Sequence, residues 1–83
     1  MKIYNVVIPQ LGFTMTTGVI QKWYKKEGDI VKRGDKIFEL LTDKVTYEVE
    51  SFHSGILKEI LKKEGEEVPV KETIAYIVEG DGS

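Results

Sequence analysis

The chain has 83 residues, a net charge of −2 and no cysteine. That length reads as one domain with a small core, and a sequence pI of about 5.4 gives no electrostatic pull toward nucleic acid or an anionic membrane. With no thiol and a single histidine, His53, disulfides, catalytic thiols and multi-histidine metal sites are excluded, and no apolar run approaches the roughly 18 residues of a membrane-spanning helix.

The first predicted strand is Tyr4 to Ile8, stopped by Pro9, which has no N–H for a ladder. Met1 runs straight into Lys2, Ile3 and Tyr4 with no signal or transit pattern, so the expected location is a prokaryotic cytoplasm. Pro9 and Gly12 then mark a loop, Gln10 to Met15, that carries Leu11, Phe13 and Met15. Leu11 and Met15 divide evenly between capping the core and facing outward. Phe13 is the better candidate for an exposed contact.

A repeat follows. "GVIQKWYKKEGDIVKRGDKIFELL" from Gly18 aligns without gaps on "GILKEILKKEGEEVPVKETIAYIV" from Gly55, an offset of 37 residues with seven identities in 24 positions. Each copy opens with glycine and a strand rich in β-branched and aromatic residues. The strand ends at Glu-Gly-Asp or Glu-Gly-Glu, where glycine can take positive φ. A short segment, "DIV" or "EEVPV", leads to a second strand, Lys36 to Thr42 or Thr73 to Val78. Pro69 confines its segment to an edge or a bulge. Turn residues every 8 to 12 positions and an apolar spacing nearer 2 than 3.6 argue against helix. Neither copy can bury a core alone. The expected fold is therefore all-β: two small antiparallel sheets packed as a flattened barrel or sandwich with pseudo-twofold symmetry. Trp23 and Ile60 should both be buried at equivalent places.

The copies are joined by "LLTDKVTYEVES", residues 40 to 51. With Asp43 and Lys44 as the central turn residues, Phe38, Leu40, Tyr47 and Val49 share a core face, and Glu39, Leu41, Thr46 and Glu48 share the other. Tight hairpins prefer Asn-Gly or Asp-Gly, so a lysine at this tip needs a reason. A solvated turn lysine is the plain reading. Against it, Lys44 sits at the joint of the internal symmetry, on strands among the most apolar in the chain. That arrangement displays a primary amine on a firm platform, as a modifying enzyme requires.

"LTDKV" resembles the lipoyl-lysine hairpin of the lipoyl domains of 2-oxo acid dehydrogenase complexes. "IPQLGFTMTTGVIQKW" resembles their first strand and loop, "KKEGDIVKRGDKIFEL" the approach to the hairpin, and "GILKEILKKEGEEVPV" the second half. The similarity runs from about Val6 to Val78. It implies a flattened fold of two four-stranded antiparallel sheets, a lipoyl domain over residues 1–79, and the start of a linker or tail at 80–83. Lipoate would be carried in amide linkage on Lys44. Asp43, Thr42 and Val45 would be its recognition neighbours, and Leu11 and Phe13 would be partner contacts on the adjacent loop. The domain would be a non-catalytic swinging-arm carrier in a dihydrolipoyl acyltransferase, monomeric when isolated. Its implied partners are a lipoate ligase or lipoyl transferase, a thiamine-diphosphate-dependent decarboxylase, the acyltransferase core and dihydrolipoamide dehydrogenase. Leu41, Thr17 and Phe52 stand where many relatives have Glu, Glu and Pro, which leaves the particular 2-oxo acid, or acetoin, open.

Three alternatives are weaker. A biotin carrier domain resembles the same fold, but its target lysine usually lies between two methionines, and here the neighbours are Asp43 and Val45. A small β-barrel binding single-stranded nucleic acid could use "KWYKK", residues 22 to 26, for stacking. The repeat instead puts Trp23 in the core, matching Ile60. An enzyme would need a catalytic set, and only Glu39 and Glu48 face each other, on an exposed surface.

Overall fold

The computed structural model describes residues 2–79; Met1 and the expected linker at 80–83 lie outside the described residues. All regular structure among them is strand: β1 (Lys2–Val7), β2 (Thr17–Trp23), β3 (Ile30–Val31), β4 (Lys36–Leu41), β5 (Thr46–Glu50), β6 (Gly55–Ile60), β7 (Glu67–Pro69) and β8 (Thr73–Glu79). Two four-stranded antiparallel sheets result, in the orders β1-β8-β6-β3 and β5-β4-β2-β7. The sheets form a flattened sandwich, 41 × 21 × 20 Å, and do not close into a barrel. β7, with Pro69, is an edge strand as expected.

The two copies exchange strands. Tyr4 pairs with Ile77 and Val6 with Ala75, just as Tyr47 pairs with Leu40 and Val49 with Phe38. β1 is thus the counterpart of β5 at an offset of 43 residues, a full member of the repeat and not an addition to it. Between equivalent positions, Val6 to Gly18 against Val49 to Gly55, the path from β1 to β2 is longer than that from β5 to β6 by 43 − 37 = 6 residues. That insertion breaks the ungapped alignment, and Tyr-x-Val is too short a match to restore it.

Burial follows the symmetry. The fully buried pairs are Ile20 and Leu57, Val31 and Val68, Ile37 and Ile74, Phe38 and Ala75, and Leu40 and Ile77; Val6 of β1 and Ile8, just beyond it, are buried with them. In the Phe38 and Ala75 pair the equivalent place holds a large residue in one copy and a small one in the other, and Trp23 leans on Phe38 with ring centroids 5.3 Å apart. Trp23 and Ile60 occupy equivalent places but are half-buried, not buried as the repeat suggested. Both close the sandwich where their strands run out. Trp23 keeps one edge outward, where its indole N–H donates to the carbonyl of Lys62 at 3.0 Å. Tyr47 also departs from its expected core place and is 36% exposed, because β5 is an edge strand.

The Lys-Lys-Glu-Gly turns clasp the copies crosswise. Glu64 accepts from the N–H of Trp23 and Glu27 from that of Ile60, each at 2.8 Å. Gly28 donates to the carbonyl of Leu57 and Gly65 to that of Ile20, each at 2.7 Å. Both glycines need their freedom, with φ of 95° and 92°. The next turn has Gly34 in one copy at φ 95° and Lys71 in the other at φ 71°. Left-handed backbone costs a side-chain-bearing residue about 1–2 kcal/mol. Gly34→Ala, which meets no atom within 4 Å, should lose about 1 kcal/mol through backbone strain alone, and Lys71→Gly should gain a few tenths to about 1 kcal/mol. Chemical denaturation of the two variants checks the sign of each.

Candidate functional site

The hairpin keeps the register read from the sequence: Leu41 opposite Thr46, Leu40 opposite Tyr47, Glu39 opposite Glu48, Phe38 opposite Val49. Its tip is different in kind. Neither Asp43 nor Lys44 has a positive φ, so the turn is not one of the primed types that demand glycine. Thr42 supplies the closure instead. Its N–H donates to the carbonyl of Val45 at 2.9 Å, and its hydroxyl donates to the same carbonyl at 2.8 Å. The hydroxyl oxygen also accepts from the N–H of Val45 at 3.2 Å. A threonine side chain commonly replaces a backbone partner in this way. Lysine is therefore tolerated where glycine was expected, and Thr42 acts as a shaper of the turn.

Asp43, Lys44 and Val45 are exposed. Lys44 takes part in none of the ion pairs among the described residues, which join Lys25 to Asp35, Lys36 to Glu48 and Lys62 to Glu72. Its amine is presented with nothing to release.

The six-residue insertion lies against this tip. Leu11, Phe13 and Met15 line a shallow groove of about 320 Å³ together with Thr42, Lys44 and Tyr47. Met15 packs on the core, its N–H bonded to the carbonyl of Gly12 at 3.3 Å. The N–H of Leu11 points at the Met15 sulfur, 3.4 Å away. Met15 thus pins the loop, Leu11 is partly exposed and Phe13 is fully exposed. The structure brings all six expected recognition and attachment residues to one end. It adds Tyr47, whose apolar ring marked it for the core and whose edge position was invisible in the sequence.

Glu39 and Glu48 face each other on the outer surface, but they are tied. The Tyr24 hydroxyl donates to both, at 3.0 and 3.4 Å, and Lys36 pairs with Glu48 at 2.9 Å. The hydrogen bond to Lys36, with its charge, holds Glu48 below the usual carboxylate range, the wrong direction for a general acid at neutral pH. The bond to Glu39 leads in pushing Tyr24 up to about 12. His53 lies away from the tip and stacks on Tyr4 with centroids 3.7 Å apart.

A family model described as "Biotin-requiring enzyme", the biotin/lipoyl type, matches residues 4–77. The dihydrolipoyllysine-residue succinyltransferase component of the 2-oxoglutarate dehydrogenase complex from Staphylococcus saprophyticus is 45% identical over 95% of this chain. A mitochondrial dihydrolipoyllysine-residue acetyltransferase component of the pyruvate dehydrogenase complex from Arabidopsis thaliana is 47% identical over 93%. The chain spans only 19% and 14% of the lengths of these two proteins. The solution structure of the lipoyl domain of the 2-oxoglutarate dehydrogenase complex from Azotobacter vinelandii superposes with a TM-score of 0.76 at 34% identity, covering 92% of this chain and 96% of that one. With its fold and nearly all of its described length matched, the chain belongs to the biotin/lipoyl-attachment family, on the side of the lipoyl domains.

Proposed function

We propose that the domain is a non-catalytic carrier whose Lys44 bears lipoate in amide linkage, within the acyltransferase component of a 2-oxo acid dehydrogenase or acetoin-cleaving complex. The observation that carries this reading is the tip itself: one unpaired, exposed amine on a glycine-free turn closed by Thr42. Asp43 and Val45 as its neighbours favour lipoate over biotin. The residues fit such a group, since the amine is free for acylation and the groove beside it is lined by Leu11, Phe13 and Tyr47. When bound, lipoate supplies a cyclic disulfide that takes up an acyl group with two electrons. The chain's own part is to fix the origin of the arm and to offer the Leu11–Phe13 loop to whatever the arm enters, since loops on rigid scaffolds often carry recognition. A thiamine-diphosphate-dependent decarboxylase, the acyltransferase core and dihydrolipoamide dehydrogenase are the partners this implies. Tethering the arm raises its effective concentration at each of them.

Expression with a lipoate ligase and lipoate, followed by peptide mass mapping, should place the adduct on Lys44 and on none of the other ten lysines. An adduct on Lys36 or Lys62 would defeat the reading. In the same preparation Phe13→Ala should be lipoylated normally yet acylated more slowly by the cognate decarboxylase; equal loss of both would make Phe13 structural.

A further inference from the structure

The outward face of the β1-β8-β6-β3 sheet carries an aliphatic row that crosses all four strands. Ile3 stands opposite Val78, Val78 opposite Ile56, and Ile56 opposite Ile30. Ile3, Ile56 and Ile30 are 63%, 47% and 68% exposed. With strands about 4.8 Å apart, the row is about 14 Å long. The next row, Asn5, Tyr76 and Glu59, is polar.

The fold does not require this row. Its pseudo-symmetric mate on the other sheet reads Thr46, Leu41, Val19 and Glu67. The two inner positions are aliphatic in both sheets, so packing along the strands accounts for them. At the two edge positions one sheet has Thr46 and Glu67, and the other has Ile3 and Ile30. Edge strands ordinarily carry polar or charged residues that discourage association. Two exposed isoleucines stand where the same architecture accepts a threonine and a glutamate.

We propose that this row is a self-association surface, where two copies of the domain meet face to face. A row of four is self-complementary about a twofold axis through its middle, setting Ile3 of one copy on Ile30 of the second and Val78 on Ile56. The same axis exchanges β8 with β6, setting Tyr76 of one copy on Glu59 of the second, so no like charges meet at the centre of the adjoining row. The aliphatic area is about 400 Å² per copy, and the pair buries about 800 Å², short of the roughly 1,200 Å² at which stable interfaces begin. Association is therefore transient: absent at micromolar concentration and present near the millimolar values that tethering copies together produces. The row and the lysine hairpin belong to different sheets, so paired domains keep both Lys44 side chains free.

Sedimentation equilibrium of the unmodified chain, from about 10 µM to about 2 mM, tests this beside amide chemical shifts. The expected result is a monomer at the low end, a rising mass at the high end, and concentration-dependent shifts centred on Ile3, Ile30, Ile56 and Val78. The double variant Ile3→Thr with Ile30→Glu should stay monomeric throughout with an unchanged thermal midpoint, and Phe13→Ser should associate like the parent. A mass that never rises, association that survives the double variant, or shifts centred on the hairpin end would each overturn the proposal. So would a fall in the thermal midpoint of the double variant, which would make the row structural. A monomeric chain whose isoleucine amides become protected only in a longer form continuing past Ser83 would assign the row to that continuation instead.

Discussion

Exchanging Lys44 and Val45 should leave a folded domain that is no longer lipoylated. The bonds that close the tip use the N–H and carbonyl of Val45 and the Thr42 side chain, and the backbone groups survive the exchange. Both positions are exposed, so the stability change should stay within about 0.5 kcal/mol. The amine, however, moves one residue along and leaves by a different direction. A reacting group misplaced by even about 1 Å can lose on the order of a hundredfold in rate. Mass-spectrometric time courses with the lipoate ligase should therefore show a loss of at least that order, with Lys44→Arg as the zero level and circular dichroism confirming the fold. Efficient modification of the shifted lysine would mean that the enzyme reads exposure alone, and the case for a firm platform would fail.

Gly55→Ala should be the most damaging small substitution at a repeat glycine. A Cβ there would sit 2.5 Å from the carbonyl oxygen of Val78 and 2.9 Å from its carbon, both backbone, with an Ile77 methyl at 2.8 Å. Backbone atoms in a central strand cannot step aside without breaking the β6–β8 ladder. At the symmetry mate Gly18, the obstacle is the Leu40 side chain, with Cδ1 at 2.5 Å and Met15 Cε at 3.3 Å, and side-chain ends can give. Overpacking costs about 1–3 kcal/mol, occasionally more. Gly55→Ala belongs at or above the top of that range and Gly18→Ala near the bottom. For a domain of this size about 3 kcal/mol lowers the thermal midpoint by about 12–24 °C. Equal midpoints for the two variants would show that the β6–β8 ladder yields as easily as a leucine.

The hairpin register was legible because alternation in Phe38, Leu40, Tyr47 and Val49 leaves only one pairing that buries an apolar face. The repeat was legible from Gly18 to Leu41 because its turn residues recur with its apolar ones. β1 was not recognised as part of it, since a six-residue insertion separates it from the aligned segment. Tyr47 and Trp23 depart from the expected core because periodicity says which face a side chain occupies, not how much of it the opposite sheet covers: Tyr47 stands on an edge strand, and Trp23 stands where β2 runs out. The task of Thr42 could not be read at all, because a hydroxyl that replaces a backbone partner has the same sequence signature as one that does not. For the site, residue types pointed to Lys44 and the resemblance to the loop beside it, while the place of Tyr47 in the groove between them had to come from the fold.

The crosswise clasps also bear on how the domain forms. Glu27 closes the strand ending at Ile60, 33 residues away, and Glu64 closes the one ending at Trp23, 41 residues away. Neither half can finish its own edges first, so little native structure is available from local contacts, and folding dominated by such distant pairings is slow and concerted. The hairpin lies between the two halves, and its strands settle only when both are in place. A lysine set on that shaped turn is thus a report on the state of the whole chain. An enzyme that demands the shaped turn would leave nascent, misfolded or truncated copies unmodified without inspecting any other part of them.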